Sequence, residues 1–411
     1  MPADPTASIE LVEGGGPVER ELAPQIVEFL VSHRIVDAIA LAGGRWRLSP
    51  RTRVGSVSVE GVTVRVAPKL AVEQIVFLLG YAKDPGWVST PVSFAPHDEF
   101  VQAVADAFTR QAGEALRRGP LQGYRETEGD LAVLRGRLRE QEQLRRRFGM
   151  ALPLLVRYDD YTTDIAENQI LRAATETLLR MGGLRPSTVA ALRSLRVNLA
   201  EVAVLAPGAV LPWWQPSRLN ERYRPALGLA AIVIAGSSFS HQTPERSDAA
   251  VLADGFMVEM ASVFEAFVTT ALGQELADLG GSYHTQYPDK LDIGGQVSIE
   301  ADLVWALRGM PAAVIDAKYK AEKPSGYPNA DVYQMLAYCT ALGLAVGHLV
   351  YAKGNEVGVT HQIRNVDVTI HAHTLDLTTP PSALLQQVSA LAGVIASAAC
   401  KEKLNQPGWS S

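Results

Sequence analysis

Cysteine is nearly absent, with only Cys339 and Cys400 in 411 residues. That excludes a disulfide framework and a cysteine-rich zinc site, and it points to a reducing compartment, the cytoplasm. No G-x-x-x-x-G-K-[ST] phosphate loop occurs, so the sequence lacks that means of binding and hydrolysing a nucleotide. An excess of basic charge is missing too. The 38 Lys and Arg against 44 Asp and Glu give a net charge of -6. Wholesale coating of nucleic acid is not indicated, while local basic patches stay open. Apolar runs are short: Leu227 to Gly236, LGLAAIVIAG, is about half the length of a membrane span. It reads as a buried helix or strand, and no membrane association is expected. Met1 to Gly16 is acidic and glycine-rich, without a basic stretch leading into an apolar one, and is not read as a signal peptide. There is no internal repeat and no low-complexity tract.

The composition that remains, 47% apolar and 20% charged, is that of a globular chain, and its length is too great for one ordinary core. Three regions differ in texture. Residues 1–90 read as β-rich. Val54 to Leu70 alternates apolar and polar residues around Glu60-Gly61, a β-hairpin that Pro68 ends, and a helix follows from Val72 to Tyr81. Residues 91–245 read as mainly helical, with helical spacing over Phe100 to Arg118 and Ile165 to Met181. This region also holds a basic segment, Arg135 to Arg147, and a Pro- and Trp-rich loop, Pro207 to Pro225. Residues 250–411 read as a compact α/β domain. Its expected order is a helix from Gly255 to Leu279, strands Val297 to Leu307 and Ala312 to Lys320 joined by a turn at Arg308-Gly-Met-Pro311, and a helix from Ala330 to Leu342. Strands Gly347 to Lys353 and Val366 to Leu377 and a terminal helix from Ser382 complete it. The fold class is α/β, α+β overall, with a mixed central sheet in the C-terminal domain.

The chemistry concentrates around Gly309. On a strand, alternate side chains share a face, so Asp316, Lys318 and Lys320 point one way, as Glu300, Asp302 and Val304 do on the preceding strand. A hairpin centred on Gly309 sets Asp302 opposite Asp316, with Cβ atoms about 4.5–5.5 Å apart. Like charges repel there unless a cation lies between them, and Mg²⁺ prefers carboxylate oxygens and water. Lys318, on the same face, could stabilise a pentavalent phosphate or position an attacking water. Two carboxylates, a metal and a lysine supply what phosphodiester hydrolysis needs. Glu265 lies on a mostly apolar helix, where a carboxylate requires a partner. It either snorkels or pairs with an arginine, or it approaches the metal as a further ligand. Gln334, one turn before Tyr338 in VYQMLAYC, is either a satisfied amide on a core helix or a group that orients the lysine, the water or a phosphate.

Other features carry less. Six arginines fall between Arg135 and Arg147; they form a solvated face, or contact DNA phosphates or an acidic protein edge. His284, His361, His371 and His373 have no metal-ligand spacing within a helix, although His371 and His373 share a strand face. Trp213-Trp214 either anchors an interface or packs a loop on its own domain.

Ala301-Asp-Leu-Val304, Val314-Ile-Asp-Ala-Lys-Tyr-Lys320 and Asp331 to Tyr338 together resemble the PD-(D/E)xK nuclease core, in particular that of the McrC family. Val64-Arg-Val-Ala-Pro-Lys-Leu70 is similar to that family's N-terminal strand end. Leu134-Arg-Gly-Arg-Leu138, with Tyr158 to Asp164 and Asn168, is similar to its central signature, and Phe264-Glu265 to the helix that opens its nuclease. Ala301 replaces the proline that gives the motif its name; that residue shapes the strand and does no chemistry. The resemblance implies a restriction-endonuclease-like domain at 250–411, with Asp302 and Asp316 as metal ligands and Lys318 as the catalytic lysine. Glu265 and Gln334 would support them. It further implies Mg²⁺-dependent cleavage of double-stranded DNA in a 5-methylcytosine-dependent restriction system. The partner would be an AAA+ GTPase resembling McrB, docked on residues 1–90 and stimulated by this chain. Two other readings stay open: a non-cleaving activator of such an NTPase, and a nuclease of the same core in another ATPase-driven defence or repair system.

Overall fold

The chain divides into two compact units, one of Met1–Phe100 with Ala249–Ser411 and one of Val101–Asp248. The computed structural model describes residues 8–83, 100–148, 150, 152–181, 183–206, 209–236, 253–319, 329–352 and 359–405. The sequence reading separates residues 1–90 from 250–411; the chain's contacts gather both into the first unit.

The first unit begins with β1 (Ser8–Val12), β2 (Val18–Glu21), α1 (Pro24–Ser32), β3 (Val36–Ala40) and β4 (Arg45–Pro50). The expected hairpin follows as β5 (Arg53–Val59) and β6 (Val62–Ala67), then α2 (Val72–Lys83). Glu60 (φ 46°) and Gly61 (φ 81°) make its two-residue turn, both with the positive φ that a type I′ turn requires. The inward residues Val57, Val59, Val64 and Val66 are buried, and each contributes roughly 1.5–3 kcal/mol by leaving water. β2, β4 and β3 make a small antiparallel sheet of their own.

The second unit holds α3 (Phe100–Leu116), β7 (Gly123–Leu131), β8 (Arg137–Leu138), α4 (Glu140–Arg147), β9 (Leu154–Thr162), α5 (Ala166–Arg180), α6 (Pro186–Asn198) and α7 (Arg224–Gly236). The apolar run at 227–236 is helical, with Leu227, Leu229, Ala230, Ile232 and Val233 buried. Helices dominate, but β7, β9 and β8 form an antiparallel sheet in between. Its first strand, GYRETEGDL, has no apolar stripe, so periodicity does not reveal it; β9 supplies its partner along its whole length.

The first unit resumes with β10 (Ala253–Glu259) and α8 (Met260–Asp278), where the sequence reading places one helix from Gly255. Residues 253–259 instead pair antiparallel with β5, from Ala253↔Val59 to Glu259↔Arg53. They complete a sheet of order β1-β6-β5-β10. Phe256-Met257-Val258 is too short a run to distinguish the two periods, and an open strand edge decides it. Only glycine fits the closest approach. Gly55 has φ 133°, and a Cβ there would stand 2.0 Å from the Phe256 carbonyl oxygen.

The remaining elements are β11 (Ser282–Lys290), β12 (Ser298–Leu307), β13 (Met310–Lys318), α9 (Asn329–Leu342), β14 (Val346–Ala352), β15 (Thr360–Gln362), β16 (Thr369–Leu375) and α10 (Pro381–Asn405). The six strands form one mixed sheet, ordered β11-β12-β13-β14-β16-β15. Its two central pairings, β13 with β14 and β14 with β16, are parallel. α9 lays Met335, Tyr338 and Cys339 on Val304, Val314, Leu349 and Ile370. α8 and α10 also pack on this sheet. By length and composition alone, Pro381–Ala399 of α10 is apolar enough to cross a membrane. Leu384, Val388, Ala392 and Ile395, at helical spacing, are buried and seat it against the protein.

Candidate active site

Arg308 (φ 52°) and Gly309 (φ 79°) form the turn between β12 and β13. It pairs Leu307 with Met310 and Ala306 with Pro311, a register that alone would bring Asp302 opposite Ile315. A bulge at Trp305/Ala306 leaves Ala312 unmatched, and the pairs become Trp305↔Ala313, Val304↔Val314 and Leu303↔Ile315. One residue further, this register sets Asp302 beside Asp316. The opposition expected from a hairpin centred on Gly309 therefore arises from a bulge, not from the turn.

The ladder changes character at the two carboxylates. Backbone pairing of β12 with β13 runs as far as Leu303↔Ile315; beyond it the Ala317 amide donates to Asp302 Oδ2 at 2.8 Å. β13 continues against β14 alone, to Lys318↔Tyr351. A side chain thus takes over a backbone bond, and the strands part where the carboxylates lie.

Asp316 is 1% exposed. Its Oδ1 has no hydrogen-bond partner, and Lys318 Nζ stands 2.6 Å from its Oδ2. Burial and the Asp302 charge push its carboxyl up to about 7, against the pull of Lys318. Asp302 is raised as well, by burial, while the Ala317 amide and Lys318 oppose the shift. Burial disfavours the Lys318 ammonium, yet the Asp316 carboxylate outweighs it and holds the group above its ordinary value. Glu265, half-buried on α8, accepts from Gln286 Nε2 at 2.5 Å. Burial and the charge of Asp302 raise it.

Asp302, Asp316, Lys318 and Glu265 are therefore brought together. Gln334 is more remote: exposed on α9, it donates to the Tyr338 hydroxyl at 2.6 Å, which in turn donates to the Glu300 carbonyl at 2.6 Å. The expected triple ligand set of Asp302, Asp316 and Glu265 does not close. Among the described residues no group of three or more His, Cys, Asp or Glu side chains is arranged to hold a metal. Gln286 engages Glu265, and the Lys318 ammonium already sits on Asp316. Two carboxylates and water nevertheless suit Mg²⁺, which keeps several waters and takes one or two carboxylates. The unsatisfied Asp316 Oδ1 is the oxygen such an ion would use. Lys320 lies outside the described residues.

Asp331 is a site neighbour that the sequence alone does not single out. It is 3% exposed in the first turn of α9, accepts from the Tyr351 hydroxyl at 3.1 Å, and its charge acts on both Asp316 and Lys318. A signal for it existed: Asp331, Met335, Tyr338 and Cys339 are the buried stripe of α9, and an aspartate on such a stripe is costly without a task. His348, also passed over, is 1% exposed. Its Nδ1 lies 3.1 Å from His373 Nε2, and its ring 5.7 Å from that of His371.

In the second unit, two arginines of the basic segment are paired. Arg135 meets Asp160 at 3.0 Å and lies 4.4 Å over the Tyr158 ring. Arg139 binds Glu128 and Glu142, while Arg145 and Arg146 are exposed on α4. Trp213 and Trp214 line a cleft of about 570 Å³ with Tyr124, Arg125, Asp164 and Asn220. Its charged groups are committed internally, Arg125 to Asp164 and Glu167 to the Asn220 amide.

A mixed α+β protein with a carboxylate pair and a lysine at a strand split defines the class. The family follows: the profile of the McrBC 5-methylcytosine restriction system component matches residues 48–352, and the chain belongs to that family. The match takes in Glu265, Asp302, Asp316, Lys318 and Gln334. A solved chain from Thermococcus gammatolerans, described as part of a tetradecameric assembly of McrB AAA+ hexamers with bound McrC, is similar over 95% of this chain and 100% of its own. Its identity is 16% and its TM-score 0.55, a likeness of fold. A chain of the Thermococcus gammatolerans McrBC complex covers 66% of this chain and 88% of its own, at 18% identity and a TM-score of 0.39. No curated protein matches.

Proposed function

We propose that the chain is an McrC-type nuclease subunit, which hydrolyses DNA phosphodiester bonds with Mg²⁺ while bound to an AAA+ GTPase of the McrB kind. It stimulates that partner's GTP hydrolysis, and cleavage acts on 5-methylcytosine-containing DNA in the cytoplasm. The observation that carries the reading is the buried Asp302/Asp316 pair at the parting of β12 and β13, with one carboxylate oxygen unsatisfied and Lys318 against the other. Membership in the restriction-system family supports it. So does the solved assembly of similar fold, in which McrB hexamers bind McrC. The sequence itself holds no phosphate loop, which suits a motor supplied by another chain.

Each residue then has a task. The Ala317 amide fixes Asp302, and burial keeps Asp316 poorly solvated, so the pair draws a cation to it. Mg²⁺ held by Asp302 and Asp316 would supply an acidified water and charge compensation at the phosphate. Lys318, released from Asp316 when that charge is otherwise satisfied, places its ammonium on the same face to offset charge developing on the phosphate oxygens. Glu265 stands beside the reacting groups as a support, and Gln334 acts at one remove, through the Tyr338 hydroxyl. Replacing Lys318 with Ala is expected to leave Tm and partner binding intact while cleavage falls on the order of 100- to 1,000-fold. Cutting at the wild-type rate by that variant, in a plasmid assay, would remove Lys318 from the chemistry.

A further inference from the structure

Two motifs far apart in sequence meet inside the first unit, and the proposed chemistry leaves their meeting unused. Glu13, at the end of β1, is 3% exposed. Its Oε2 accepts the Lys69 amide at 3.2 Å, its Oε1 has no hydrogen-bond partner, and the Tyr319 hydroxyl lies close enough to act on the carboxyl. The ammonium of Lys69 stands 5.7 Å from the Tyr319 ring centroid, and the Phe264 ring 5.9 Å from it. Lys69 lies just past the end of β6, and Tyr319 just past the end of the strand that carries Asp316 and Lys318. Burial pushes the Glu13 carboxyl up, and burial together with that carboxyl raises the Tyr319 phenol; the phenol stays a neutral donor.

The position of Tyr319 gives this contact its meaning. Lys318 is the last residue of β13 and is paired on one side only, to Tyr351 of β14, because β12 has already parted. Its ammonium reaches Asp316 while the next side chain turns the other way, onto Phe264, Glu13 and Lys69. Consecutive Cα atoms are about 3.8 Å apart, so whatever fixes Tyr319 limits where Lys318 can stand. A merely apolar plug would need no hydroxyl, and a buried carboxyl is costly to keep without polar neighbours.

We infer that Tyr319, anchored by Glu13 and Lys69 of the N-terminal sheet, is a positioning residue that sets the place of Lys318 at the Asp302/Asp316 pair. The inference rests on the nuclease reading above. The N-terminal sheet is on this account part of the support of the active site.

The test uses the full chain assembled with its AAA+ partner, methylated plasmid, GTP and Mg²⁺. Wild type, Tyr319→Phe, Glu13→Gln, Glu13→Leu and Asp316→Ala run side by side, with Tm measured for each. Tyr319→Phe removes only the hydroxyl and is expected to lower kcat on the order of 10- to 100-fold, with KM for DNA and Tm unchanged. Glu13→Gln keeps an acceptor for both the Lys69 amide and the Tyr319 hydroxyl and should cut within about twofold of wild type; Glu13→Leu should behave as Tyr319→Phe does. If Tyr319→Phe cuts like wild type while Asp316→Ala is dead, the positioning role is overturned. A loss of cutting that merely tracks a fall in Tm overturns it too. Wild type and Asp316→Ala cutting alike would overturn the nuclease reading itself, and this inference with it.

Discussion

At Asp316, burial and the charge of Asp302 raise the carboxyl to about 7, from about 3.9 in an unfolded chain. A carboxyl raised in this way binds its proton more tightly folded than unfolded. Its stabilising contribution is therefore fully present below about pH 4 and is lost as pH rises through about 7. The metal-free protein should lose Tm between about pH 5 and pH 8, and Asp316→Asn should flatten that fall. Mg²⁺ added at the upper pH should recover part of it, since a ligand that binds only the folded state stabilises it. Coincident Tm curves for wild type and Asp316→Asn across this range would contradict the burial account of Asp316. Scanning calorimetry reads both. At this scale the sequence displayed Asp302, Asp316 and Lys318 plainly, since alternation along a strand needs only residue numbers. Asp331, Gln286 and Glu13 stayed hidden because each reaches its neighbour through folding: a helix turn, an adjacent strand, and a sheet from the other end of the chain.

Among the elements, the bulge at Trp305/Ala306 is what turns an ordinary two-residue hairpin into one whose carboxylates face each other. The symmetric turn at Arg308-Gly309 would have flipped β13 by one residue, exchanging its faces. No residue pattern announces a bulge of this kind, so the expected pairing arrived by a route that the sequence does not spell out. The start of α8 shows the same limit. Gly255 to Glu259, five residues with a mixed apolar pattern, satisfy a helix locally, and the free edge of β5 takes them into β10. That junction makes a stability prediction. Gly55→Ala places a Cβ on the Phe256 carbonyl at a positive φ and should cost on the order of 3 kcal/mol or more. Gly61→Ala, in the turn with nothing within 4 Å, should cost only about 1 kcal/mol. Urea unfolding of both variants checks the order; equal losses would refute the close approach of β10 to β5.

For the whole molecule, length and texture indicate several folded parts, and contacts gather Val101–Asp248 into a unit of its own, overlapping the middle region read at 91–245. The union of the N-terminal strands with the C-terminal sheet was not legible, because it depends on β10 pairing with β5 across roughly two hundred intervening residues. The same union puts Glu13 and Lys69 beside the strand of Lys318. On the proposed function, catalysis and its support share one unit, and nucleotide hydrolysis falls to the AAA+ partner. The central claim is tested most directly by incubating methylated plasmid and Mg²⁺ with the chain and its AAA+ partner, in GTP, ATP or no nucleotide, wild type beside Asp316→Ala. Cleavage that requires partner, GTP and Asp316 is the predicted result, with EDTA abolishing it. Nucleotide hydrolysis stimulated equally by both proteins, with no cutting by either, would contradict the nuclease reading and make this chain an activator of its motor.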